Sequence, residues 1–221
     1  MPDYGGFSVA REIFQSGRMT VYAGARAGDR RTCAIKVFHP VNAAGRARAD
    51  EVRAFVEAAE AQKKVAEKSR ARWAPVHAHG ECAEGAFFVT DYYPRSLEKV
   101  IGGRVALDLP TLHWVVGAIV RALADFERLA GRPYGNLGAA NVFIGSNGRL
   151  RGAPLVLSEP APLPADATGT AAAARRADDF RALGALIAWF VRRREQDGWP
   201  IEDGPEWNGL GRHGAAWRDF C

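Results

Sequence analysis

The sequence has few cysteines and no long apolar run. Its N-terminus has no basic region followed by an apolar run, so we expect no signal peptide. Its three cysteines, Cys33, Cys82 and Cys221, are odd in number and far apart. This argues against a disulfide framework and indicates a reducing compartment, so we expect a cytoplasmic protein. The longest apolar run, Leu183–Val191, is far shorter than the roughly 20 residues that a membrane span needs. The segment is therefore expected to contain no membrane span.

The chain also lacks a concentrated stripe of one charge and has no internal repeat. Its net charge of +5 comes from 30 basic residues scattered among 25 acids. This distribution is typical of a solvated surface, and we expect no nucleic-acid partner. Apolar residues make up 48% and charged residues 25% of the 221 residues. Those fractions indicate a globular domain with a sizeable core.

In the first 92 residues, apolar and polar side chains mostly alternate, as they do in β-strands. One segment with helical periodicity interrupts this pattern. Short turns separate three predicted antiparallel strands, Val9–Gln15, Met19–Ala25 and Thr32–Phe38. Residues 50–68 carry a helical apolar stripe, and two more strands are expected within 74–80 and 86–92. His77, His79 and Cys82 lie close in sequence, but their spacing matches no zinc pattern. We predict no metal there.

The rest of the chain has mainly helical periodicity. A long amphipathic helix is expected to begin after Asp108, and a nearly all-apolar helix runs from Asp178 to Val191. Between them lies a glycine-rich loop and short strand, Tyr134–Ile144, followed by a turn at 146–148 and a returning strand within 150–157. Residues 160–177 lack apolar periodicity and are expected to be irregular. One short helix is expected in the tail.

Several segments, in this order, resemble the motifs of protein kinases. Ala34-Ile35-Lys36 resembles Val-Ala-Ile-Lys, and Phe87–Leu97 resembles the kinase hinge. The loop Tyr134–Asn141 resembles His-Arg-Asp-Leu-Lys-x-x-Asn, and the helix at Asp179 resembles the family's Asp-x-x-x-Leu-Gly helix. The resemblance, to bacterial-type Ser/Thr kinase domains, implies a two-lobed α+β fold. It implies one domain over residues 1–221, with a small lobe at 1–90, a hinge at 91–96 and a large lobe at 97–221 that is shortened at its C-terminus.

The same resemblance implies a candidate nucleotide cleft. In it, Lys36 would hold phosphates and pair with a carboxylate of the following helix, Glu57 or Glu60, with Glu57 preferred. The backbone of Asp91 and Tyr92 would face an adenine. Asn141 and Glu159 would take the places of the two magnesium ligands, and Asp179 would anchor the loop. The implied cofactor is ATP, with or without magnesium.

The sequence departs from the kinase pattern where the chemistry occurs. Asn136 stands where a kinase has its catalytic aspartate, and asparagine cannot act as a base at neutral pH. The three glycine positions of the phosphate loop fall on Phe14, Ser16 and Met19, and Pro160 follows Glu159. No Ala-Pro-Glu is present, so a peptide-substrate platform is not evident.

These departures favour a pseudokinase. Such a protein would be a regulatory module that binds another protein or another domain of the same chain, with at most weak nucleotide binding. The alternative is an active, atypical phosphotransferase acting on a protein or a small molecule. Gly135 supports it, because Tyr-Gly-Asn also resembles the His-Gly-Asp of aminoglycoside kinases.

Overall fold

The computed structural model describes residues 4–102, 108–145, 150, 152–162, 169–193, 201 and 203–221. The chain forms two compact units. Unit 1 comprises Met1–Tyr93 and Glu159–Gly169, and unit 2 comprises Pro94–Ser158 and Thr170–Cys221. The predicted turn at 146–148 lies outside the described residues.

Unit 1 is a five-stranded antiparallel sheet with one long helix. The strands are β1 (Phe7–Gln15), β2 (Met19–Arg26), β3 (Cys33–Phe38), β4 (Val76–Cys82) and β5 (Gly85–Asp91), in the spatial order β1-β2-β3-β5-β4. Helix α1 (Gly45–Lys68) connects β3 to β4. This confirms the predicted sheet and helix.

Both faces of the sheet are covered, so its central strand is buried along its whole length. Ile35 and Val37 of β3 join one apolar cluster, together with Tyr4, Phe7 and Val89. Phe38 and Phe88 join a second cluster, which contains Val52 and Phe55 of α1. Because side chains alternate along a strand, Lys36 is on the same face as Phe38, the face that α1 covers.

Unit 2 is mainly helical. Its elements are α2 (Leu97–Gly102), α3 (Leu109–Ala130), the strands β6 (Val142–Ile144) and β7 (Leu155–Leu157), α4 (Gly169–Arg192) and α5 (Gly214–Phe220). Two 3₁₀ segments, Ala139–Asn141 and Pro205–His213, precede β6 and α5. The arrangement confirms the predicted two-lobed α+β fold class.

Helix α3 begins and ends at the signals that its sequence carries. The Asp108 side chain accepts the N–H of Thr111 at 2.9 Å, which caps the first turn. Gly131 ends the helix in a left-handed conformation, with φ of 72°. By length and composition α3 is a candidate membrane span, and it is the one such helix within the described residues. Its apolar stripe, including Val115, Ile119 and Phe126, is buried in the chain.

The prediction of an irregular segment at 160–177 is wrong for its second half. Helix α4 already begins at Gly169, nine residues before the predicted start at Asp178. Residues 170–174 are Thr-Ala-Ala-Ala-Ala, and alanine has the highest intrinsic helix propensity. This part of α4 is largely exposed and therefore has no apolar stripe from which the helix could be predicted. Its Arg176 pairs with Glu127 of α3, through Nε at 3.2 Å.

Candidate functional site

Lys36 is a buried cation with a carboxylate partner in unit 1. It lies in β3 opposite Phe88 of β5, and only 3% of the residue is exposed. Its Nζ lies 5.5 Å from the centre of the Phe88 ring. The same Nζ donates to the carboxylate of Glu159. The two residues are 123 positions apart in the chain, so tertiary folding alone brings them together.

Glu159 has an unusual backbone conformation. Its φ is 67°, in the left-handed region that residues other than glycine rarely adopt. Its N–H donates to Oε1 of Gln62 at 2.8 Å. Conformations of this kind persist where the surrounding structure holds them, and they cluster at functional sites. Here Gln62 holds the backbone of Glu159 and Lys36 holds its carboxylate.

Gln62 is a site residue that the sequence reasoning missed. It lies in α1, is fully buried, and also donates from Nε2 to the carbonyl of Ala74 at 2.9 Å. All the other buried residues of α1 are apolar. The signal was therefore present, as one polar residue on the apolar stripe of the predicted helix. The kinase resemblance implies a charged partner for Lys36 in this helix, and that implication favoured the glutamates instead.

The structure does not place the α1 glutamates in the expected pairing. The side chain of Glu57 is 46% exposed and lies 3.9 Å from Nε of Arg53. That of Glu60 is 58% exposed, and its Oε2 lies 2.7 Å from Nε2 of His79. Both glutamates fall outside the buried face of α1. The carboxylate that reaches Lys36 comes from Glu159, because the face of α1 toward the sheet carries Gln62.

The described residues of unit 1 provide few ligands for a divalent cation. Magnesium is usually held by one or two carboxylates together with phosphate oxygens and waters. The carboxylate of Glu159 is engaged with the Lys36 ammonium. In the part of the chain that the structure describes, no three His, Cys, Asp or Glu side chains form a metal-binding group. The arrangement in unit 1 therefore does not fit a magnesium ion while the Lys36–Glu159 pair is closed.

Asp91 and Tyr92, the other site residues expected in unit 1, contact His77 of β4 and the loop that precedes β3. Asp91 ends β5, and its carboxylate lies 2.8 Å from Nε2 of His77 and 3.8 Å from Nη1 of Arg31. These neighbours, the hydrogen bond to His77 first, hold the pKa of Asp91 below its ordinary value. The N–H of Tyr92 donates to the carbonyl of Thr32 at 3.4 Å. The adenine-facing role of Asp91 and Tyr92 stays a prediction.

In unit 2, Asp179 of α4 holds the loop that contains Asn136. Its carboxylate accepts the N–H of Gly135 at 2.7 Å and that of Leu137 at 3.2 Å. Burial raises the pKa of Asp179, although these two N–H groups oppose the rise. Gly135 has φ of 72°, which glycine adopts without strain and which explains glycine at this position.

The two asparagines of the loop are linked to each other. Nδ2 of Asn141 donates to the carbonyl of Asn136 at 3.0 Å. The carbonyl of Asn141 accepts the N–H of Ser158 at 3.2 Å, and the hydroxyl of Tyr134 donates to the carbonyl of Ser158 at 2.6 Å. The loop is thus fixed on both sides, to Asp179 and to the residue that precedes Glu159.

Comparison with known proteins identifies the fold. No family model matches the chain, and no curated protein matches its sequence. Among solved structures, the chain is similar to the kinase domain of Mycobacterium tuberculosis PknI. A structure of a single-site mutant of that domain superposes with a TM-score of 0.64 at 21% identity, over 99% of this chain and 94% of that one. Another structure of the domain gives a TM-score of 0.63 at 22% identity, over 98% and 93%.

These similarities show a protein-kinase-like fold that resembles bacterial Ser/Thr kinase domains. They confirm the resemblance that the sequence motifs indicated. At this level of identity they establish the fold and leave function to the residues of the site.

Proposed function

We propose that this chain is a catalytically impaired kinase-like protein, a pseudokinase. It acts as a binding or regulatory module for another protein or for another domain of its own chain. Nucleotide binding is weak at most. We place it in the cytoplasm, because its three cysteines are all free thiols.

One observation carries this proposal. Asp179 anchors the loop at Gly135 and Leu137, yet the residue between them is the neutral Asn136. A general base must accept a proton from the attacking hydroxyl, and an amide side chain cannot do so at neutral pH. A positioned base contributes about 10²–10⁴-fold in rate. The loop therefore keeps an ordered shape and lacks the group that would drive phosphoryl transfer.

The Lys36–Glu159 pair supports the same conclusion from unit 1. Phosphoryl transfer depends on cations that neutralise the phosphates. Here the ammonium of Lys36 is already neutralised by Glu159, and that carboxylate is occupied by the same contact. A phosphate at Lys36 and a metal ion at Glu159 would each have to compete with this contact. Weak nucleotide binding follows, whatever the residue at position 136.

A radiolabelled ATP assay on generic protein substrates and on small-molecule hydroxyl acceptors tests the proposal. We expect no transfer above background from the unmodified chain. Robust transfer that is lost in Lys36→Ala, with the variant shown by circular dichroism to be folded, would overturn the proposal in favour of an active phosphotransferase. Activity gained by Asn136→Asp alone would show that the absent base is the main defect.

A thermal-shift titration with ATP separates binding from turnover. We expect a small shift at millimolar ATP that changes little when magnesium or manganese is added. A large, metal-dependent shift would contradict weak binding and would support the phosphotransferase alternative.

A further inference from the structure

We propose that Gln62 is a positioning residue. It holds the carboxylate of Glu159 against Lys36 and thereby hinders other anions from binding the Lys36 ammonium. The inference rests on the proposed function only in that the excluded anion is a nucleotide phosphate. Gln62 acts through Glu159, by fixing its backbone with a neutral group.

The amide of Gln62 is fixed at both ends. Its Nε2 donates to the carbonyl of Ala74 at 2.9 Å, and its Oε1 accepts the N–H of Glu159 at 2.8 Å. Gln62 and Ala74 are both fully buried, so water does not compete for these bonds. The bond to Ala74 determines which end of the amide faces Glu159. Gln62 therefore presents an acceptor, and only an acceptor, to the N–H of Glu159.

Glu159 needs such an acceptor, because its backbone is in an unfavourable conformation. Its φ of 67° is left-handed, and it precedes Pro160, a context that normally favours extended backbone. Without the bond to Gln62, the N–H of Glu159 would lose this buried acceptor. The chain would then relax toward an extended conformation, and the carboxylate would leave Lys36.

The neutrality of Gln62 is as important as its geometry. A carboxylate at position 62 would also accept the N–H of Glu159, but it would compete for Lys36 and repel the carboxylate of Glu159. The amide offers the acceptor without that charge. The contact of Lys36 with Glu159 is therefore a neutral pair, and a phosphate oxygen at Lys36 would have to compete with Glu159.

The acetylation rate of Lys36 measures how often the pair opens. The chain has five lysines, and the exposed Lys64 serves as an internal control in the same mass-spectrometric experiment. Gln62→Met preserves length and removes both hydrogen bonds. We expect it to raise labelling of Lys36 about 3- to 10-fold relative to Lys64, the range that corresponds to one net hydrogen bond.

The decisive comparison is the double variant. If Gln62 acts through Glu159, then Gln62→Met combined with Glu159→Gln should label Lys36 at the rate of Glu159→Gln alone. If Gln62 only packs the core, the two substitutions will multiply, and that result would overturn the proposal. Unchanged labelling in Gln62→Met would overturn it as well.

Amide hydrogen exchange by NMR separates a local from a global effect. We expect Gln62→Met to deprotect the amide of Glu159 and to leave those of Ile35 and Val89, in the centre of the sheet, unchanged. Should the methionine variant not fold, the milder Gln62→Asn, one methylene shorter, is measured in its place with the same expectations. Retained protection at Glu159 in a folded variant would contradict the assignment. Neither measurement contains a nucleotide, so each stands even if the chain proves to transfer phosphate.

Discussion

Asp179 accepts the N–H of Gly135 at 2.7 Å across 44 positions of the chain. It accepts the N–H of Leu137 as well, and these two residues flank Asn136. Both contacts from α4 are to backbone N–H groups and do not involve the side chain at position 136. This separation explains how the loop can keep its shape while carrying an asparagine where the resemblance implies a base.

We predict that Asp179→Ala lowers the free energy of unfolding by about 2–4 kcal/mol, because two backbone N–H groups lose their acceptor. Asp179→Asn, which keeps one acceptor oxygen, should lose less. Urea denaturation followed by circular dichroism measures the change. The neighbouring Asp178→Ala is the matched control, since that side chain is 48% exposed and pairs with Arg181 on the surface. Equal losses at the two positions would contradict the anchoring role.

A second prediction concerns pH. The pKa of Asp91 is lower in the folded chain than in the unfolded chain, because of His77 and Arg31. The ionised carboxylate of Asp91 therefore stabilises the fold above the unfolded value of about 3.9, and this stabilisation is lost as the pH falls through the lower, folded-state pKa. We expect Asp91→Asn to cost roughly 0.5 kcal/mol at pH 5, since the pair is partly exposed, and progressively less toward pH 3.

The variant His77→Phe controls for the cause of that effect. With the largest contribution removed, the pKa of Asp91 should return toward its ordinary value, and the pH-dependent difference should shrink. A stability difference between the unmodified chain and Asp91→Asn that grows toward pH 3 would refute the assignment.

Much of the fold was predictable, because its signals are local. Turn residues separate the strands of unit 1, and α3 has an aspartate cap and a terminal glycine. The first turns of α4 were not predictable from periodicity. They are exposed and alanine-rich, so intrinsic propensity specifies them without an apolar stripe.

The site was less predictable, since its contacts are long-range. Lys36 and Glu159 were each identified as candidates, but nothing local indicates that a lysine in β3 pairs with a residue 123 positions later. The left-handed backbone of Glu159 opposes its local preference ahead of Pro160, and the contacts with Gln62 and Lys36 account for it. Glu57 was preferred for a similar reason. An ion pair between Lys36 and a glutamate of α1 was expected, whereas the carboxylate that contacts Lys36 comes from Glu159.

A third prediction tests the start of α3. Asp108→Ala should destabilise unit 2 by about 1 kcal/mol, because the side chain no longer accepts the N–H of Thr111. Asp108→Ser, which keeps a capping oxygen, should recover most of the loss. Thermal unfolding of the two variants makes the comparison, and an equal loss in both would show that Asp108 acts by something other than capping.

The last prediction concerns the energetics of the buried pair. Lys36 is 3% exposed, so Glu159→Ala leaves an ammonium in the core with its carboxylate removed. We expect this to cost at most about 3–5 kcal/mol, the loss for fully buried pairs, because the Glu159 side chain is 21% exposed. Lys36→Met removes the charge that needs compensation, and we expect the methionine to pack on Phe88, which the lysine already contacts. The double variant Lys36→Met with Glu159→Ala should therefore be more stable than Glu159→Ala alone. The coupling, measured by a denaturation cycle, should be at least about 1 kcal/mol. Additive losses would show that Lys36 and Glu159 do not depend on each other, and the pair would no longer support the proposal of weak nucleotide binding.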